Sequence, residues 1–270
     1  MTALTFRCAD GGELRDSGAG AGEPVVFIHG LGLDAALWDA QWPAVQREFR
    51  AIRFDVRGFG DSSLPAGPYS NSDDLLDLLD FLDARSAHVV GLSMGGRLAL
   101  RFALDQPNAV KSLTLIDPAL EGFSWSESWA RQMAPILAAA GAGDVHAARR
   151  LWLAHELFAP ARRDPQVAAA LGAMVNRYSA WHWRNTDPVR RSASPASRCL
   201  ASVSSPTLVI LGELDLPDFK EIAQRLAAEI PGAALHIVAD AGHMASMEAP
   251  TAVNDLLLAH LRANSGRKER

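Results

Sequence analysis

Short apolar runs rich in Val, Ile, Leu and Phe recur along the chain as PVVFIHG (24–30), RAIRFDVRG (50–58), AHVVGLS (87–93), KSLTLID (111–117), PTLVILGELD (206–215) and ALHIVADAGH (234–243). Each is followed by a turn, and most by a helical pattern. That alternation predicts an α/β fold whose mostly parallel central sheet is covered by helices. Leu75, Leu78, Leu79 and Leu82 recur at i, i+3, i+4 and i+7 behind the side-chain caps offered by Ser70, Asn71 and Ser72, which predicts an amphipathic helix. The first twenty residues, with turn signals at Asp10, Gly11 and Gly12 and again at Gly18, Gly20 and Gly22, read as a hairpin before the first parallel strand. The glycines of GAGAG precede a strand instead of opening a helix, so they are read as a turn and not as a dinucleotide fingerprint.

The strand and helix rhythm breaks between Asp117 and Pro206, where helical patterns continue and no convincing strand occurs. An inserted helical cap accounts for the gap. The expected organisation is therefore a core of residues 1–120 and 204–265, a cap (lid) of 121–203 and a flexible tail of 266–270. Five of the seven tryptophans, Trp125, Trp129, Trp152, Trp181 and Trp183, fall in the cap. They are candidates for the roof of an apolar pocket, with core packing as the alternative for each.

Composition adds exclusions. The 270 residues carry 26 Lys plus Arg against 31 Asp plus Glu, a net charge of -5, and no basic block precedes position 267, so nucleic acid is not an expected partner. Cys8 and Cys199 are the only cysteines and match no CxxC or zinc spacing, which suits free thiols in a reducing compartment. The start MTALTFRCADGG lacks a secretory pattern and no apolar run approaches the length of a membrane span, so a cytoplasmic protein without membrane partners is expected. HExxH and clustered Cys/His ligands are missing, and no metal or cofactor is expected. The sequence carries no signal for an oligomeric state.

The chemistry centres on Gly91-Leu92-Ser93-Met94-Gly95, a G-x-S-x-G between the strand AHVV and the helical pattern GRLALRFAL. That is the context of a nucleophile elbow, where small flanking residues permit a tight turn and the serine projects above the strand end. The alternative is a Gly-rich helix start. A serine hydroxyl needs a base in reach and a carboxylate to orient that base. His243 follows the last strand-like run and is the candidate base. His29, in the exit turn of the first parallel strand, reads as structural, holding the HG loop. His88, His146, His155, His182, His236 and His260 have no comparable placement, although His182 could face the pocket. Asp215 follows TLVILGEL and precedes His243, giving the order Ser, Asp, His; Asp117 is the runner-up acid, alternatively a turn or helix cap before Pro118, and Asp218 a third option. The backbone amides of Leu31, in HGLG, and of Met94 are candidate oxyanion donors.

HGLG (29–32), DVRGFGDS (55–62), GLSMGG (91–96), GELD (212–215) and GH (242–243) resemble the ordered landmarks of the α/β-hydrolase superfamily across nearly the whole chain. The resemblance implies a Ser93, Asp215 and His243 triad. HGLGLDAALWDAQWPAV and the short cap are similar to 3-oxoadipate enol-lactonases and related carboxylesterases, which implies a small-molecule ester or lactone substrate. SMGGRLAL, with Arg97 four residues after the serine, resembles the menaquinone-pathway synthase that eliminates pyruvate with the same triad, where Arg97 would contact an acidic substrate; HGLGLD and YSAWHWRNTDP (178–188) differ from that synthase. Meta-cleavage carbon-carbon hydrolases share the triad but usually carry asparagine where this chain has Leu92. Haloalkane dehalogenases and epoxide hydrolases place aspartate where this chain has Ser93. The sequence thus predicts a cofactor-independent serine hydrolase, with a carbon-carbon hydrolase or lyase as alternative and a non-catalytic receptor as a minor one.

Overall fold

The structure, a computed structural model, describes residues 3–266. Eight strands form one sheet: β1 (Ala3–Arg7), β2 (Glu13–Ala19), β3 (Pro24–Ile28), β4 (Arg50–Phe54), β5 (Ala87–Leu92), β6 (Val110–Ile116), β7 (Thr207–Gly212) and β8 (Ala234–Val238), in the order β1-β2-β4-β3-β5-β6-β7-β8. β1 and β2 are the predicted hairpin, and β2 also runs antiparallel to β4. From β4 to β8 every neighbouring pair is parallel, so the six apolar runs read from the sequence are β3 to β8. The GAGAG segment begins as the last two residues of β2, Gly18 and Ala19, and its remainder is the turn into β3, with Gly20 and Gly22 at φ of 87° and 100°, values glycine reaches at no steric cost.

The helices are α1 (Trp42–Val45), α2 (Asn71–Phe81) and α3 (Met94–Asp105), then α4 (Glu127–Gly141), α5 (Val145–Ala154), α6 (Pro165–Arg177) and α7 (Trp181–Arg184), and finally α8 (Pro217–Glu229), α9 (Ala245–Glu248) and α10 (Pro250–Asn264). α2 is the predicted leucine helix. Its N-cap is Ser70, whose hydroxyl accepts from the amide of Asp73. Between β6 and β7 lie α4 to α7 and short 3-10 turns. This segment is tied to the rest of the chain by a parallel bridge between Tyr69 and Val189, by the ion pair of Arg177 with Asp34, and by Asp218, which accepts from the amide and hydroxyl of Ser126.

All six residues of β5 and of β7 are buried, because helices cover both faces of the sheet centre. Fully buried leucines such as Leu100, Leu113 and Leu115 each contribute roughly 1.5–3 kcal/mol of apolar transfer. Among the described residues no helix is long and apolar enough to cross a membrane. The expected flexible tail 266–270 lies outside the described residues except for Gly266, whose amide donates to Glu23.

Candidate active site

Parallel strands deliver their chain ends to one edge of the sheet, and the crevice beyond those carboxyl ends is where such sheets bind ligands. Ser93 leaves β5 at φ 55° and ψ -114°, a strained backbone for any residue with a side chain. Two glycines make the turn possible. A Cβ on Gly91 would collide with the carbonyl of Gly95, and one on Gly95 with the carbonyl of Ile28. The elbow is pinned from β6: the Ser93 amide donates to the Ile116 carbonyl at 3.0 Å, and the Ser93 carbonyl accepts from Ala119 and from Arg97. Met94 is the first residue of α3, so its amide is among the donors a helix start leaves unpaired, at the positive end of the helix dipole. Leu31 and Met94 both line the same cavity as Ser93 and His243.

His243 Nδ1 and Asp215 Oδ2 are hydrogen-bonded at 2.9 Å, with both side chains buried. The other Asp215 oxygen accepts from the Leu216 amide at 2.7 Å. Phe219 covers the imidazole, ring centroids 4.2 Å apart. Ser93 and His243 are not hydrogen-bonded to each other here; both open onto the cavity, and such contacts commonly tighten only around a bound reactant. The other two acids are committed elsewhere. Asp117, fully buried at φ 44°, accepts from the amides of Gly212 and Ala245, bracing the ends of β7 and the start of α9. Burial, reinforced by the neighbouring Asp215 carboxylate, pushes its pKa well above the usual carboxylate range. Asp218 holds Ser126, the N-cap of α4.

His29 is structural, as its position in the first exit turn suggests. Its Nε2 accepts from the Val56 amide at 3.0 Å, which leaves Nδ1 as the protonated nitrogen facing the Gly30 carbonyl at 2.8 Å. Burial lowers its pKa, in keeping with a neutral ring. The HGLG turn is thereby fastened to the end of β4. Asp55 extends the clasp by accepting from the amides of Ala35 and Asp61.

The cavity encloses about 340 Å³. One side is apolar: Trp125, Trp129, Trp152, Leu157, Phe158 and Phe219. Trp125 stacks on Trp129 at 4.6 Å, and Trp152 stands over the HGLG turn, where a Cβ on Gly32 would meet its indole nitrogen at 3.0 Å. The other side is polar, with Tyr69, Asn71, Arg97, His182, Asp187 and Arg191. Of the expected pocket residues, Arg97, Trp125, Trp129 and Trp152 line the cavity. Trp181 and Trp183 are not among the lining residues: Trp183 is buried edge-on against Trp152 and Tyr178, and Trp181 packs against His182. They support the cavity wall from behind. The sequence reading missed Tyr69, Asn71, Asp187 and Arg191. The polar residues interleaved with the tryptophans of 178–191 were the available signal. His182, stacked on Phe59, has its pKa pushed down to about 4 chiefly by burial.

Cys8, Asp10 and Asp74 form a group of metal-type donors in mutual reach, and none lines this cavity. Arg57 already meets Asp74 at 2.5 Å and Asp10 at 3.0 Å, and burial pushes the Cys8 thiol up, away from the thiolate a metal needs. The donor set therefore fits a buried ion pair better than a cation site.

Residues 23–250 match the family model described as alpha/beta hydrolase fold. The chain belongs to the α/β-hydrolase fold family. It is similar to 3-oxoadipate enol-lactonase 1 of Acinetobacter baylyi, 27% identical over 229 residues covering 84% of each chain. It is 31% identical over 259 residues to the 2-hydroxy-6-oxononadienedioate/2-hydroxy-6-oxononatrienedioate hydrolase of Cupriavidus pinatubonensis, covering 90% of this chain and 88% of that one. Among solved structures, the enol-lactonase from Burkholderia xenovorans matches with a TM-score of 0.81 at 26% identity, over 96% of this chain and 100% of that one. These α/β-hydrolase relatives are themselves hydrolases, so the likeness extends to hydrolytic chemistry.

Proposed function

We propose that the protein is a cofactor-independent serine hydrolase that cleaves a carboxylic ester or lactone, with residues 121–203 as a cap over the site. The observation that carries this reading is the buried Asp215–His243 hydrogen bond, whose histidine lines the same cavity as Ser93 on its strained turn. Asp215 fixes the imidazole with its Nδ1 protonated, which leaves Nε2 to take the Ser93 proton. Ser93 Oγ attacks the carbonyl carbon. The oxygen that gains negative charge is met by the amides of Leu31 and Met94. His243 then protonates the leaving alkoxide, giving an acyl-enzyme. Water, deprotonated by His243, cleaves the acyl-enzyme and releases the acid.

The apolar wall of tryptophans favours a mid-sized acyl or ring substrate over a polymer. Carbon-carbon bond hydrolysis by the same residues is the second reading, favoured by the 31% identity to the 2-hydroxy-6-oxononadienedioate/2-hydroxy-6-oxononatrienedioate hydrolase. The test is turnover of 4-nitrophenyl esters of increasing acyl length and of several lactones, with Ser93→Ala alongside. Turnover by the wild type, reduced by several powers of ten in the variant, supports the ester reading. Wild-type activity that survives the substitution refutes it, and turnover confined to a vinylogous diketone acid moves the assignment to carbon-carbon cleavage.

A further inference from the structure

Two consecutive residues at the start of α8 join the roof of the cavity to its base. Asp218, the third candidate acid in the sequence, is buried and spends its two oxygens on Ser126, accepting from the amide at 3.0 Å and from the hydroxyl at 2.8 Å. A buried carboxylate needs such donors, so the position of Ser126 is held firmly. Ser126 follows Trp125 in the chain and caps α4, its hydroxyl oxygen accepting from the Trp129 amide at 3.2 Å. The grip of Asp218 therefore sets where both of these indoles stand.

Phe219, next in the chain, is 1% exposed and meets both the base and the roof. Its ring centroid lies 4.2 Å from that of His243, 5.3 Å from that of Trp125 and 5.6 Å from that of Trp129. All four side chains line the cavity that holds Ser93. The backbone that carries the pair is the turn that carries the triad acid: the Leu216 amide donates to Asp215 Oδ1 at 2.7 Å, and the Phe219 amide to the Leu216 carbonyl at 3.1 Å. Rings packed against one another leave no free volume to absorb a displacement, so a shift of the tryptophan wall is passed through Phe219 to the imidazole.

We propose that Asp218 and Phe219 make recognition of the acyl group part of the catalytic step. Asp218 is a positioning residue that holds the Trp125 and Trp129 wall through Ser126, and Phe219 is a specificity-determining residue through which an acyl group seated on that wall orients His243. Contact with the wall is then spent on the geometry of the base, which raises kcat, instead of on ground-state binding alone, which would lower KM. The inference rests on the ester or lactone reading above and adds how the acyl part of the substrate is selected.

The experiment measures kcat and KM separately for 4-nitrophenyl acetate, butyrate and hexanoate. In the wild type kcat is expected to rise by at least about 10-fold from the acetate to the better of the longer esters. Asp218→Ala, which releases Ser126, and Phe219→Leu, which keeps an apolar side chain but loses the ring, are each expected to cut that rise to about 3-fold or less, with the change in kcat. Asp218→Asn keeps an acceptor oxygen for Ser126 and is expected to restore part of the rise; it and Phe219→Leu serve if Asp218→Ala fails to fold. A kcat that does not change with acyl length in the wild type, or that falls in the variants by one factor for all three esters, overturns the coupling. A preference carried by KM alone overturns it too and makes Phe219 a binding surface only. In each of these cases Ser93 labelled by a fluorophosphonate leaves the serine hydrolase standing. Turnover of none of the esters, with Ser93 unlabelled, removes the hydrolase reading and this inference with it.

Discussion

The Glu248 carboxylate grips the chain on both sides of His243, accepting from the Gly242 amide at 2.8 Å and from the Met244 amide at 3.0 Å. Burial raises the Glu248 pKa first and Asp215 adds to the rise, while the two amides and His243 draw it down. The carboxylate thus holds the turn that presents the imidazole. Glu248→Gln keeps an acceptor oxygen and removes the charge. Only one of its two side-chain positions can then accept from the amides of Gly242 and Met244, and kcat is expected to fall by roughly 10-fold as the loop that carries His243 loosens, with a lowered melting temperature. A variant with wild-type kcat and melting temperature would contradict this role for Glu248.

Asp215 and Asp117 stand at neighbouring strand ends, and the two possible acids separate by substitution. Asp215→Asn leaves the imidazole in the wrong tautomer, and kcat is expected to fall by about 10⁴-fold with folding intact. Asp117→Asn replaces a carboxylate that touches only the amides of Gly212 and Ala245. Its expected cost is in melting temperature, with kcat reduced by no more than about 10-fold. The reverse ranking would make Asp117 the partner acid.

The six parallel strands were legible because strands buried on both faces are continuous apolar runs, and the elbow because Gly91 and Gly95 answer a backbone requirement that no other residue meets. Asp215 and His243 followed from chain order. The roof was harder. Five tryptophans in one segment look alike in sequence, yet whether an indole faces a cavity or another ring is decided by packing between α4, α5 and α7, as Trp129 and Trp183 illustrate. Arg191 was silent for a related reason: its place on the cavity wall is a property of the surroundings, and neighbouring Arg190, the same residue type, is paired with Asp73 and does not line that cavity.

His155 packs against Trp129 and Trp152, and its pKa is pushed down to about 4, chiefly by burial. A histidine whose folded pKa is depressed leaves the unfolded chain binding more protons between pH 4 and about 6.5, so stability rises with pH across that window and is complete above it. His182, also near 4, adds to the rise. His155→Asn keeps an acceptor for the Leu157 amide, which Nδ1 now serves at 3.0 Å, and removes the titration. The increase in melting temperature from pH 4 to about 6.5 is expected to shrink by several degrees. Parallel curves for wild type and variant would contradict the assignment.

The central claim, that Ser93 is acylated during turnover, is tested most directly by rapid quenching after mixing the protein with 4-nitrophenyl acetate, followed by peptide mapping by mass spectrometry. The account predicts one acetyl group on Ser93, formed in a burst of 4-nitrophenol and lost with time, and none in Ser93→Ala. Acetylation elsewhere, or turnover with Ser93 never modified, would contradict it.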